Sequence, residues 1–246
     1  MTDYNDSDSY SDDRYGSLGG MRILEREREH YEKILERLGA DTGSTVLELG
    51  SNNALMSEHL SKQGYEMHCG DVERKPLMDA REEERTVQQY QVDGHRLPFQ
   101  EDSFDYVIMP RMLHLDVVDE EEVIEEVSRV AEKGFAFDVF SRGSGRALYN
   151  STMHKLDKSM PKSSLASKYE ITGSGPIEGW LEDYDDVETF SDFAIPFGAY
   201  RNSENEIWVK MVEEVNDIFE KWGKKDMPDP NSVIYTAVDM KEEKDQ

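Results

Sequence analysis

Apolar residues fall first at helical spacing, then in short runs separated by polar turns. Ile23, Tyr31, Ile34, Leu35 and Leu38 predict a charged amphipathic helix over residues 21–38. Strands and helices then alternate. The runs at 46–49, 65–69, 86–92, 104–109 and 135–140 read as strands. Between them, 54–63 reads as a helix with Gly64 as its cap, and a short helix starts near Pro76, a residue suited to a first helical position. Val123, Ile124, Val127 and Val130 share one face of a helix over 119–132, ended by Lys133-Gly134. Such alternation predicts a parallel sheet covered on both faces.

Beyond Ser141 the pattern loosens. The stretch 141–176 carries most of the locally basic residues, among them Arg142, Arg146, Lys155, Lys158, Lys162 and Lys168. A short helix at 177–184, a strand at 187–195 and a helix at 205–222 follow. That helix carries Trp208, Val212, Val215, Phe219 and Trp222 as its expected apolar stripe. Alternation in SVIYTAVDM predicts a last strand over 232–240. Residues 1–20 lack periodicity and are rich in Ser, Asp, Tyr and Gly, which predicts a disordered acidic tail. Residues 21–246 are expected to form a single domain.

The 246 residues suffice for one large α/β domain, and the formal net charge of -26 disfavours a nucleic-acid partner held by its phosphates. Acidic excess also suits solvation in high salt, although the lysine content is not especially low. A single cysteine, Cys69, excludes an internal disulfide and a cysteine metal cluster, and suits a reducing cytoplasm. The first residues lack the basic and apolar regions of a signal peptide, and no apolar run reaches the roughly 18 residues of a membrane span. No metal site is expected.

Candidate chemistry begins in VLELGSNNALMSEHL, where a buried strand runs into an acid, a glycine and a helix. A turn of this kind aims helix N–H groups at a ligand. Glu48 closes the strand and Gly50 permits the turn. Asp71 ends the next strand about 20 residues on, where α/β nucleotide folds place a carboxylate on ribose hydroxyls. A third acid, Asp93, follows the next strand, ahead of Leu97-Pro98-Phe99, a polar turn and Phe104-Asp105.

Taken together, VLELG, GDVERKPL, VDGHRLPFQEDSFDYVIMPRMLHL and EEVIEEVSRVAEKGF resemble the class I S-adenosylmethionine-dependent methyltransferases, in the broad group with the LPF-x-x-x-SFD signature. The resemblance covers residues 20–140 well and 177–246 in outline. It implies a Rossmann-like fold, with a mostly parallel seven-stranded sheet, helices on both faces and an antiparallel last strand. It implies S-adenosyl-L-methionine as cofactor and transfer of its methyl group to a small-molecule acceptor, without naming that acceptor.

By the same resemblance Glu48, Gly50, Ser51 and Asn52 bind the cofactor, Glu48 and Gly50 at its methionine end. Asp71 would hold the ribose diol, Val72 pack on adenine, and Asp93 with Gly94 meet the adenine amino edge. Met109, Pro110 and Arg111 would face the methyl group and the acceptor. Arg111 and His114 are the candidates for catalysis, and no base is assigned. Residues 141–176 and 196–230 would cover the acceptor pocket, and the tail could reach the cofactor through Tyr10 or Tyr15.

Two departures stand out. Common members carry glycine at positions 52 and 54, where this chain has Asn52 and Ala54. Asparagine tolerates positive φ, so Asn52 or Asn53 can keep the turn, and Ala54 reads as a mild change. No Asn-Pro-Pro-Tyr follows the fourth strand, and Cys69 on a buried strand is a poor nucleophile. Three further readings stay open: a non-catalytic cofactor-binding or scaffold protein of the same fold, a methyltransferase acting on RNA or protein, and a nicotinamide-dependent dehydrogenase. The last gives the LPF-to-SFD block no role.

Overall fold

The computed structural model describes residues 14–82, 87–115, 117–140, 179–193, 195, 200–222 and 233–240. Tyr10 and the segment 141–176 lie outside the described residues. In chain order the elements are α1 (Leu18–Arg37), β1 (Thr45–Leu49), α2 (Leu55–Lys62), β2 (Glu66–Asp71), α3 (Arg74–Glu82), β3 (Gln88–Gln91), β4 (Phe104–Met109), α4 (Glu120–Val130), β5 (Ala131–Phe140), β6 (Asp186–Asp192), α5 (Glu206–Trp222) and β7 (Val233–Asp239).

The seven strands form one sheet in the order β3-β2-β1-β4-β5-β7-β6. β1, β2, β3, β4 and β5 pair in parallel, and β7 runs antiparallel to both β5 and β6. The chain order leaves β1 outward to β2 and then jumps across it to β4. That reversal opens a crevice at the carboxyl ends of β1 and β4, where open α/β sheets take their ligands.

Period-2 alternation divides the core into two layers. Leu47, Leu49, Val107, Met109, Phe135 and Phe137 face α4 and bury its Val123, Ile124, Val127 and Val130. Val46, Tyr106, Ile108, Ala136 and Tyr235 face α1 and bury Ile23, Tyr31, Ile34 and Leu35. Buried on both sides, β4 is therefore a continuous apolar run after Asp105.

Several boundaries differ from the sequence pattern. α1 starts at Leu18, inside the expected tail, because Ser17 caps it: its Oγ accepts from Gly20 N–H at 3.0 Å and also donates to the Arg201 carbonyl. Glycine is required next to that cap. A Cβ on Gly19 would sit 1.9 Å from the Tyr200 carbonyl oxygen. α4 passes straight into β5 at Ala131, several residues before the expected strand, because Phe104 already pairs with Ala131 beyond a register shift in β4. On α5 the buried face is Val209, Val212 and Asn216, while Trp208 is 37% exposed. Among the described side chains Val212 keeps its expected place and Trp208 does not, while Asn216 is held inward by accepting from Ile195 N–H at 3.0 Å.

Candidate active site

The loop between β1 and α2 is a tight, non-helical turn with three left-handed residues, Gly50 (φ 70), Asn52 (φ 47) and Ala54 (φ 61). Gly50 and Ser51 N–H both donate to the Gly70 carbonyl, at 2.9 and 3.1 Å, which ties the loop to the end of β2. Asn52 takes the positive φ foreseen for one of the two asparagines. Its Oδ1 accepts from Asn53 N–H at 2.8 Å. Ala54 is more than a packing substitute for glycine. It is the left-handed N-cap of α2, fully buried, with no side-chain cap bond. In that conformation Cβ approaches the following carbonyl, so alanine is strained there by about 1–2 kcal/mol.

Glu48 supplies the missing cap from the strand. Its carboxylate accepts from the backbone N–H of Ser57 at 2.8 Å and from the Ser57 hydroxyl, in the first turn of α2. The side chain is 3% exposed. Burial pushes its pKa up to about 7, against the Ser57 bonds that favour the ionised form. The structure thus places Glu48 beneath the loop, holding α2.

Asp71 closes β2 and meets the loop. One carboxylate oxygen accepts from Asn52 N–H at 2.8 Å and the other from Glu73 N–H at 2.9 Å. Burial raises its pKa, opposed by those backbone bonds. Val72 beside it is 63% exposed, an apolar side chain left at the rim of the crevice.

Asp93 and Gly94 follow β3. Asp93 Oδ1 accepts from His95 N–H at 3.0 Å and lies 2.6 Å from His95 Nδ1, while the Asp119 N–H donates to His95 Nε2 at 2.9 Å. The backbone bond from His95 holds the Asp93 carboxyl below its usual range. Further along, Leu97 N–H donates to Glu126 at 2.7 Å, and Arg129 donates to the Leu97 and Phe99 carbonyls at 3.1 and 2.8 Å. Phe99 packs edge-on to Tyr90 and Phe104. Leu97, Pro98 and Phe99 are therefore scaffold: they fasten this loop to α4.

After β4 the expected contacts rearrange. Met109 is fully buried in the α4-side core, because alternation puts it on the same face as Val107. Met112 is the methionine at the crevice. A Cβ on Gly50 would lie 3.3 Å from Met112 Cβ, and one on Gly94 would lie 2.5 Å from its Cε. One flexible thioether thus spans the first and third loops.

Arg111 has φ 54 and donates its N–H to Asp138 at 2.9 Å. Its guanidinium turns away from the loops to pair with Glu27 of α1, with both side chains almost fully buried. Burial, and then nearby Arg14, lower its pKa. Glu27 also accepts from the Tyr15 hydroxyl at 3.3 Å, and Asp138 from the Tyr31 hydroxyl at 2.7 Å. Pro110 and His114 are half-buried in the same connection. Next to this cluster, buried Asp192 joins His30 Nε2 at 2.5 Å and receives a fork from Arg26, fixing α1 to the end of β6.

The structure thus brings Gly50, Ser51, Asn52, Asp71, Val72, Asp93 and Gly94 to the carboxyl ends of β1, β2 and β3. It puts Glu48 beneath the first loop, Met109 in the core and Arg111 against α1. Sequence reasoning missed His95 and Met112, and took Ala54 for a packing change. Met109 was readable from strand alternation, whereas the His95 contact joins residues 24 apart in sequence.

Residues 47–137 match the family model of a methyltransferase domain. No curated protein matches the sequence. Among solved structures, a phosphoethanolamine N-methyltransferase of Haemonchus contortus, in complex with S-adenosyl-L-methionine, aligns with TM-score 0.59 at 16% identity, over 86% of this chain and 52% of that one. The chain therefore spans about half the length of that enzyme. A SAM-dependent methyltransferase of Aquifex aeolicus aligns with TM-score 0.50 at 16% identity, over 85% of this chain and 88% of that one. The chain thus shares a Rossmann-like fold with these methyltransferases, and its residues 47–137 match the model of a methyltransferase domain.

Proposed function

We propose that this protein is an S-adenosylmethionine-dependent methyltransferase acting on a small-molecule acceptor. The observation that carries the reading is the meeting of three loops at the β1–β4 reversal, with Asp71 tied to the left-handed turn through Asn52 N–H. The residues present fit an adenosyl group. Val72 offers an exposed apolar face beside the Asp71 carboxylate, and Asp93 presents a second carboxylate at the end of β3. When bound, the sulfonium cofactor supplies an activated methyl group, so the protein needs chiefly to align acceptor and methyl.

In this reading Asp71 accepts from the ribose hydroxyls, Val72 packs on the adenine and Asp93 takes its amino group. The backbone of 50–53 receives the amino-acid end. Glu27 of α1 pairs with Arg111 after β4, and Tyr15, just ahead of that helix, bonds to Glu27, which in this reading limits access to the acceptor side. That cover, with the net charge of -26, favours a small acceptor over a nucleic acid. The phosphoethanolamine enzyme has also been solved with phosphomonomethylethanolamine and S-adenosylhomocysteine. It supports a small acceptor as a class, not that molecule.

Calorimetry with S-adenosylmethionine, S-adenosylhomocysteine and NAD tests the reading. Binding of both adenosyl ligands and not NAD is the expected result. Binding of NAD alone, or of none of the three, overturns it.

A further inference from the structure

The adenine-side loop is held by a histidine whose hydrogen bonds admit only one protonation state. His95 Nε2 receives the N–H of Asp119, so that nitrogen must carry a lone pair. Its Nδ1 lies 2.6 Å from Asp93 Oδ1, a carboxylate oxygen that can only accept. The imidazole is therefore neutral, with its proton on Nδ1. Asp119 is also the N-cap of α4 and accepts from Glu122 N–H at 3.3 Å. The chain of contacts runs from the start of α4, through one ring, to the carboxylate at the end of β3.

We infer that His95 is a positioning residue for cofactor recognition, fixing the Asp93 carboxylate toward the adenine amino group. The inference rests on the function proposed above. His95 binds one oxygen of Asp93 twice, through its backbone N–H and through Nδ1, and so fixes that carboxylate's orientation. Nε2 in turn is held by the Asp119 N–H at the start of α4, so the ring keeps one orientation between the two elements.

Two measurements test this. Two-bond proton–nitrogen NMR on histidine-labelled protein at pH 8 should find His95 protonated at Nδ1, the minor tautomer of free imidazole. Calorimetry with S-adenosylhomocysteine at pH 8 should then compare wild type, His95→Gln and His95→Ala. Glutamine keeps a side-chain acceptor for the Asp119 N–H and an amide donor for Asp93. His95→Ala should bind about 3–10-fold more weakly than wild type, the worth of one hydrogen bond, and His95→Gln should recover part of that loss. An Nε2-protonated ring, a His95→Gln protein no better than His95→Ala, or a His95→Ala protein with reduced melting temperature and unchanged affinity overturns this inference alone. Absence of any binding by wild type at pH 8 overturns the proposed function and this inference with it.

Discussion

Burial of Glu48 makes the stability of this protein depend on pH in an unusual direction. Its carboxyl is pushed from an ordinary 4.5 up to about 7 by loss of solvent, against the two Ser57 bonds. The folded state therefore holds the proton more tightly than the unfolded chain between those values. The contribution is fully present below about pH 4.5 and is lost as pH rises through 7. A shift of this size corresponds to about 3 kcal/mol over its whole range, and about 2.5 kcal/mol between pH 5 and pH 8. Other groups are also shifted in the folded state. Asp71 shifts the same way, while His68, whose pKa is lowered chiefly by burial, shifts oppositely.

Glu48→Gln isolates the one contribution. Glutamine keeps a carbonyl oxygen to accept from Ser57 and cannot ionise. Urea unfolding at both pH values, followed by tryptophan fluorescence at constant ionic strength, gives the two stabilities of each protein. Relative to wild type, Glu48→Gln should gain about 2.5 kcal/mol on going from pH 5 to pH 8. Identical pH responses would refute the argument, and with it the picture of an acid buried beneath the loop. A bound ammonium near the loop favours the ionised form, so saturating S-adenosylmethionine should move the wild-type transition to lower pH.

Three further outcomes follow from the geometry. Asn52→Gly should leave S-adenosylhomocysteine affinity within about threefold, whereas Asn52→Val, β-branched at φ 47, should lose most of it by calorimetry. Glu27→Gln should lower unfolding free energy by about 3–5 kcal/mol by leaving the Arg111 charge buried without its carboxylate, and Glu27→Gln combined with Arg111→Met should recover part of that in urea titration. Asp71→Ala should weaken S-adenosylhomocysteine by about tenfold to several hundredfold, while Glu73→Ala, which keeps the backbone N–H that Asp71 uses, should change it little.

Much of the fold was legible because buried parallel strands write themselves as apolar runs. β4, FDYVIM, falls on the residues its pattern predicts. Legibility failed where a long-range contact sets the boundary. α1 begins early because Ser17 reaches Arg201, and β5 begins early because Phe104 finds Ala131. In the crevice, acids at strand ends were readable by type and spacing, but not what each would touch. Glu48 and Asp71 look alike in sequence, yet one lies under α2 and the other at the loop. Arg111 looked like an acceptor contact because it follows β4, but positive φ and the Asp138 bond turn it toward α1.

The loop that lacks its usual glycines shows how such a departure is sustained, and it yields a last prediction. Two non-glycine residues in the left-handed region cost about 1–2 kcal/mol each, and such strain persists only where the surroundings over-determine the backbone. Here they do. Gly70 accepts from two successive loop N–H groups, Asp71 accepts from the next, Ser51 accepts from Ala54, and Glu48 grips the first turn of α2. Fully buried Ala54 is the weakest member, because it bears the strain without a side-chain bond in return. Ala54→Gly should therefore raise the melting temperature, the relieved strain exceeding the roughly 0.4–1 kcal/mol that glycine's freedom adds to the unfolded chain. Affinity for S-adenosylhomocysteine should hold or improve, since the loop keeps every other tie. Ala54→Leu should lower both, because Ala54 is buried against Cys69 of β2 and Leu77 and Ala80 of α3, where a longer side chain has no room. A protein destabilised by Ala54→Gly would mean that the turn is not left-handed there, and that the loop keeps its shape by some other route.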